Sequence, residues 1–123
     1  MTRKKTILFV EDDALIIKLY KARLSHDGYD VISAAEGEEG YQLYLKEQPD
    51  LVVLDLMIPK ISGLDVLRKI RKIDKKTPII VYTVLSGYDT KKEVLSMGAN
   101  EHFIKSDIHP KILVEKIKSY FIS

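Results

Sequence analysis

Pro49-Asp50-Leu51-Val52-Val53-Leu54-Asp55 is an apolar run that ends abruptly in a carboxylate. Consecutive apolar residues with no polar alternation read as a strand buried on both faces, the pattern of a parallel sheet. An acid at the carboxyl end of such a strand stands where open α/β sheets bind their ligands. A second run, Ile7-Leu8-Phe9-Val10, leads straight into Glu11-Asp12-Asp13. Two parallel strands that both end in carboxylates can gather several negative charges in one crevice, where they repel unless a cation or a proton intervenes. The arrangement predicts a divalent-metal site and makes Asp55 a candidate nucleophile.

Outward from these two runs the chain alternates strand and helix. Thr6–Val10 reads as the first strand, and Asp13 as the cap of a helix through Leu24 whose Ile16, Tyr20 and Leu24 recur at i, i+4, i+8. Gly28 ends that helix, and Asp30–Ala34 reads as a second strand. A helix from Gly37 to Lys46 carries Glu38 and Glu39 in its first turn, where the macrodipole favours acids. Leu51–Asp55 is the third strand, and a loop with Pro59 and Gly63 leads to a helix over Leu64–Ile73. Pro78–Thr83, Tyr88–Met97 and Glu101–Ile104 follow as strand, helix and strand. The last helix, His109 to Phe121, should bury Leu113, Ile117 and Tyr120 or Phe121. Alternation at this spacing predicts a flavodoxin-like doubly wound α/β fold, a five-stranded parallel sheet with helices on both faces. Right-handed crossovers leave few topologies; the order 2-1-3-4-5 makes the first and third strands neighbours and unites Glu11, Asp12 and Asp55.

At 123 residues the chain reads as one domain, 1–123, long enough to bury roughly two thirds of its unfolded surface. Cysteine is absent, which excludes disulfides and thiolate metal sites and fits a reducing compartment. No apolar stretch approaches the roughly 20 residues of a membrane helix. The basic start, Met1-Thr2-Arg3-Lys4-Lys5, precedes too short an apolar run for a signal peptide, so the expected location is the cytoplasm. A net charge of +2 is too mild to argue for direct nucleic-acid binding. The dense basic stretch Arg68-Lys69-Ile70-Arg71-Lys72-Ile73-Asp74-Lys75-Lys76 places Val66, Leu67, Ile70 and Ile73 at helical spacing, and its charges read as a solvated helix face.

If the carboxyl edge of the sheet is the working edge, the strand ends supply its chemistry: Glu11 and Asp12, then Asp55, Thr83 and Lys105. A metal pair, a nucleophile, a hydroxyl and an ammonium make a phosphoryl-transfer set. Mg2+ prefers octahedral oxygen ligands at about 2.0–2.1 Å and accepts one or two carboxylates beside phosphate oxygens and waters. Phosphoryl transfer needs mostly positioning and charge neutralisation, and carboxylates serve as covalent acceptors. Each residue also has a plainer reading. Glu11 and Asp12 sit near a helix N-terminus that attracts acids anyway, with Asp13 sufficient as the cap. Thr83 is an ordinary β-branched strand residue. Lys105 can be a surface lysine. Asp55 can be an acid that merely opens a loop, although an unpaired acid ending a buried strand is costly.

The chain resembles the receiver domain of two-component response regulators over essentially its whole length. Val10-Glu11-Asp12-Asp13, Asp55-Leu56-Met57-Ile58-Pro59 with Gly63, Val81-Tyr82-Thr83, Gly98-Ala99 and Lys105 carry the resemblance. It implies that Asp55 accepts a phosphoryl group from a phosphohistidine of a sensor histidine kinase or phosphotransfer protein. It implies that Asp12 binds Mg2+, with Glu11 direct or through water and the Met57 carbonyl as a further ligand. Thr83 would then hydrogen-bond the aspartyl phosphate and Lys105 would pair with it. The face formed by the fourth helix, fifth strand and fifth helix would repack to bind a downstream target or output domain, or a second copy in a phosphorylation-dependent dimer. Such a domain catalyses its own phosphorylation and dephosphorylation without being a conventional enzyme.

Three positions depart from the family pattern. Ser106 stands where a proline usually follows the strand-five lysine through a cis bond; cis before a non-proline costs about 2.5–4 kcal/mol, so a trans bond is expected. His102 stands where Tyr or Phe serves as the switch rotamer, and it reads either as a switch or as a plain strand residue. Val84 and Leu85 are bulkier than usual after Thr83, which predicts slow dephosphorylation. The changes at Ser106 and His102 keep open a degenerate receiver, a phosphorylation-independent interaction module. Met57 stands where aspartyl-phosphate hydrolases of the haloacid dehalogenase family carry a second acid, which argues against that chemistry. The glycines at 28, 37, 40, 63, 87 and 98 form no nucleotide-binding fingerprint. The sequence ends just past the last helix, so an output domain is expected elsewhere: on another protein, or in a longer regulator.

Overall fold

A computed structural model of the chain describes residues 3–122. Its strands are β1 (Thr6–Val10), β2 (Asp30–Ala34), β3 (Leu51–Leu54), β4 (Ile79–Thr83) and β5 (Glu101–Ile104). The helices are α1 (Ala14–His26), α2 (Gly37–Glu47), α3 (Gly63–Ile73), α4 (Tyr88–Ser96) and α5 (Pro110–Ser119). All strand pairs are parallel, in the order β2-β1-β3-β4-β5. The expected topology and fold class are what the structure shows, and Val10 pairs with Leu54, which sets the ends of β1 and β3 side by side.

The apolar residues of β1, β3 and β4 each face one of two cores. Leu8, Val10, Val52, Leu54, Ile79 and Val81 pack with Tyr44 of α2, Val66, Leu67 and Ile70 of α3, and Val94 of α4. Ile7, Phe9, Leu51, Val53, Ile80 and Tyr82 pack on the other face with Tyr20 and Leu24 of α1 and Leu113, Val114 and Ile117 of α5. That is why the β3 run shows no alternation: both of its faces are covered, and each fully buried Val or Leu contributes about 1.5–3 kcal/mol. A charge at Val53 would strand an ion between α1 and α5.

Element ends differ from expectation by a few residues, each for a local reason. Helix α1 runs past Leu24 to His26, and its stop is a left-handed closure: Tyr29 N–H donates to Leu24 O at 3.0 Å and Gly28 N–H to Ser25 O at 3.0 Å. Gly28 sits at φ +93°, a conformation that suits a residue without Cβ. Ser62 caps α3 by accepting from Asp65 N–H, so that helix begins at Gly63. Pro78 has no N–H for the ladder; its carbonyl accepts from Val52 instead. Helix α5 is shorter than expected, capped by His109 Nδ1 and closed at Tyr120, and both Tyr120 and Phe121 pack against the α1/α5 core. Among the described residues no peptide bond is cis, so Lys105–Ser106 is trans. No helix among them is long and apolar enough to cross a membrane.

Candidate metal and phosphoacceptor site

The first residue beyond β1 is Glu11, and the first beyond β3 is Asp55. Strand adjacency brings them together, and both are nearly buried, at 3% and 4% exposure. Asp55 has left the ladder's assigned strand, yet its N–H still donates to Val10 O at 3.0 Å. Asp12, next in the chain, is exposed at the rim. Asp13 turns away to cap α1, accepting from Leu15 N–H at 2.9 Å and Ile16 N–H at 3.4 Å. One carboxylate oxygen each from Glu11, Asp12 and Asp55 lies within 4.8 Å of the others.

Lys105, just past β5, reaches across β4 into this cluster. Its Nζ lies 2.6 Å from Glu11 Oε1 and 2.8 Å from Asp55 Oδ2. The remaining oxygens of both acids are held by backbone: Asp13 N–H donates to Glu11 Oε2 at 3.1 Å, and Met57 N–H to Asp55 Oδ1 at 3.1 Å. Burial pushes the Glu11 carboxyl above its ordinary value, against the pull of Lys105 and the Asp13 N–H. For Lys105 burial favours the neutral amine, but hydrogen bonds to Asp55 and Glu11 outweigh it and the ammonium is held above its ordinary value. Three carboxylates against one ammonium leave two negative charges in the crevice. An all-oxygen, carboxylate-rich donor set of that charge suits a hard divalent cation such as Mg2+ rather than a soft metal.

The loop after Asp55 is pinned to the sheet edge. Gly63 N–H donates to Leu56 O at 3.1 Å, and Gly37 N–H to Pro59 O at 3.1 Å. A Cβ on Gly63 would lie 2.2 Å from Asp55 O, so this approach requires glycine. The Met57 side chain is exposed, and the Met57 backbone is what meets Asp55.

Thr83 is fully buried at the end of β4, its Oγ1 accepting from Leu85 N–H at 3.4 Å and its carbonyl from Lys105 N–H at 2.8 Å. His102 stands outside the carboxylate cluster, half-buried, with Nε2 at 3.2 Å from Leu85 O. The Leu85 backbone therefore links Thr83 to His102, a connection that no residue-type pattern reveals. The second feature absent from the sequence reading is a role for the Tyr82 ring, which lies beneath Lys105 with its centroid 5.7 Å from Nζ. Its alternation onto the α1/α5 side of the sheet was the available signal, and that signal says only core.

Known proteins share this fold. The family model for the response regulator receiver domain matches residues 7–118. The chain is 43% identical over 117 residues to a probable transcriptional regulator, ycf27, of Porphyridium aerugineum, covering 95% of this chain and 48% of that one. It is 38% identical to the alkaline phosphatase synthesis transcriptional regulatory protein PhoP of Bacillus subtilis, covering 82% and 42%. The chain thus spans about half the length of the relatives it matches. Among solved structures it is similar to the BeF3-activated N-terminal receiver domain of RstA from Klebsiella pneumoniae, with TM-score 0.88 at 29% identity, covering 97% and 100% of the two chains. A CheY-like receiver domain protein of Methanospirillum hungatei superposes with TM-score 0.89 at 30% identity, covering 96% and 94%. Fold and sequence agree: the chain belongs to the receiver domains of two-component response regulators.

Proposed function

We propose that residues 1–123 form a single receiver domain that accepts a phosphoryl group on Asp55 and acts as a signalling switch. The observation that carries this reading is the environment of Asp55: a nearly buried carboxylate at a strand end, with one oxygen on Lys105 and the other on the Met57 N–H, beside two further acids. A carboxylate oxygen of Asp55 attacks phosphorus, the bond from phosphorus to the donor breaks, and its electron pair leaves with the donor. From a phosphohistidine protonated on its other ring nitrogen, the donor departs as neutral imidazole. Lys105 Nζ, already at the Asp55 carboxylate, neutralises charge on the incoming phosphoryl oxygens. Glu11, Asp12, Asp55 and the Met57 carbonyl would hold Mg2+, which when bound supplies charge neutralisation for the phosphoryl oxygens.

Once Asp55 carries the phosphoryl group, Thr83 Oγ1 gives up Leu85 N–H and donates to it. The 83–85 segment moves, and with it the Leu85 carbonyl that holds His102. This couples the site to the surface of α4, β5 and α5, the face assigned to a target, an output domain or a second copy. The phosphoryl source is a sensor histidine kinase or phosphotransfer protein in the cytoplasm. Transcriptional regulators among the relatives support control of gene expression as the output.

Intact mass after incubation with acetyl phosphate and Mg2+ tests the proposal, with Asp55→Asn as control. A metal-dependent gain of one phosphoryl group that the variant lacks is the expected result. No gain from a folded protein, from acetyl phosphate or from a histidine kinase, would overturn it in favour of a phosphorylation-independent interaction module.

A further inference from the structure

We propose that Tyr82 is a positioning residue for Lys105: its ring is the surface that directs the ammonium across β4 and into the Glu11–Asp55 pair. Lys105 begins beyond the edge strand β5, while its partners stand at the ends of β3 and β1, with β4 in between. A lysine stem has four rotatable bonds and the rotamer entropy of all of them to lose, so the route it takes must be held by something. The backbone fixes only where the stem starts, through Lys105 N–H to Thr83 O at 2.8 Å and a turn closed by Asp107 N–H to Ile104 O at 2.9 Å, and leaves the side-chain route open. The ring supplies the rest. Nζ lies 5.7 Å from its centroid, and the lysine side chain is only 14% exposed, so the cation–ring attraction acts with little competing water.

A ring can aim a cation only if the ring is itself fixed. The Tyr82 hydroxyl is hydrogen-bonded to the Tyr20 hydroxyl at 2.9 Å, in a buried pair. The two rings meet edge to face at 5.7 Å and 90°, and Tyr20 stacks on Phe9 at 5.4 Å. Phe9, Tyr20 and Tyr82 form a rigid column from β1 through α1 to the underside of the site. A tyrosine placed only to fill the core would need none of this alignment with the ammonium. In that case its loss would lower stability and leave Lys105 where it is.

The proposal rests on the acceptor reading of Asp55 for its rate measurement alone. In the metal-free protein, the ε-methylene protons of Lys105 lie near a ring face and should resonate upfield of those of the other lysines. Coincidence with the others would overturn the proposal without any variant. The variants are made in a Tyr20→Phe background, which removes the partner hydroxyl so that neither of them leaves it buried and unpaired. There, Tyr82→Phe keeps the ring and the edge-to-face and stacked packing that holds it, and should keep both the upfield shift and the initial rate of phosphoryl uptake from acetyl phosphate with Mg2+. Tyr82→Leu should lose the shift and slow uptake about fivefold, the size of a partly desolvated cation–ring contact. Equal rates and equal Lys105 shifts in the two folded variants would overturn the proposal. A wild-type protein that takes up no phosphoryl group would defeat the acceptor reading, while the resonances would still decide the role of Tyr82.

Discussion

Replacing Lys105 by methionine keeps most of the stem and deletes the one cation, among the described residues, that pairs with Glu11 and Asp55. Carboxylate oxygens of these two acids lie within 4.8 Å of each other. Two unit charges at that separation repel by about 3 kcal/mol at an effective dielectric constant near 20. With Nζ at 2.6 Å and 2.8 Å the ammonium more than offsets this; without it the repulsion acts on two side chains 3% and 4% exposed. Lys105→Met should therefore lose about 3 kcal/mol at pH 7 in the absence of metal, as expected when one partner of a buried ion pair is removed. That corresponds to a fall in Tm of about 10 °C for a domain of this size. The sign of the pH dependence follows from Glu11, whose carboxyl burial already holds high and which the variant pushes higher. A raised folded pKa gives stability that is complete below the group's ordinary value and is lost as pH rises through the folded value. The deficit of the variant should accordingly shrink as pH falls from 7 into the carboxylate range. The wild-type lysine, held above its ordinary value, keeps its contribution until pH rises through that raised value. Urea melts across this range, with and without Mg2+, measure both effects. Mg2+ should restore more stability to the variant than to the wild type, because it replaces the missing positive charge. A deficit independent of both pH and Mg2+ would refute electrostatic balance as the role of Lys105 and leave only lost packing.

Three other perturbations test separate parts of the structure. Gly63→Ala places a methyl group 2.2 Å from Asp55 O and 2.5 Å from Leu56 Cα; it should cost about 3 kcal/mol in urea melts and weaken Mg2+ binding by calorimetry, and unchanged binding would detach the loop from the site. Asp74 accepts from the hydroxyls of Tyr44 and Thr77, both at 2.6 Å, and from the N–H groups of Lys76 and Thr77; burial alone would raise its carboxyl, but these bonds, from Thr77 and Tyr44 above all, hold it well below the ordinary range. Its contribution is present above the ordinary value near 3.9 and is lost as pH falls through the lowered one, so Asp74→Asn should lose about 2 kcal/mol at pH 7 and progressively less in acid unfolding below about pH 4. Val84 and Leu85 stand partly exposed beyond Thr83, and replacing them by Ala and Gly should open the approach of water and shorten the lifetime of the phosphorylated protein severalfold; an unchanged lifetime measured by intact mass would remove bulk as the controlling factor.

The parts that were legible in the sequence are those a strand or helix imposes on its own residues. Leu51 to Leu54 needed no partner to show that both faces were covered, and Asp13 announced the start of α1 by its position alone. Strand alternation then fixed β1 beside β3, and with it the meeting of Glu11, Asp12 and Asp55. What stayed hidden was direction. Lys105 was readable as a strand-end lysine, but whether it pointed into the crevice depended on Ser106, and the trans bond there left its aim to side chains far away in sequence. Tyr82 and Tyr20 are separated by 62 positions and each looks like an ordinary core aromatic until the hydroxyls meet. Leu85 read as bulk, whereas its backbone is what joins Thr83 to His102.

The same division explains why His102 gave no single reading. An aromatic ring at that place would have only its orientation to report, while an imidazole also carries a polar atom that must find a partner. Here Nε2 finds the Leu85 carbonyl, in the segment whose N–H is held by Thr83 Oγ1. The Thr83 contact on the Leu85 N–H and the His102 contact on the Leu85 carbonyl hold one peptide segment together, so releasing the first would disturb the second. The histidine is thus tied to the site through backbone rather than through ring packing, and residue type alone does not encode that tie.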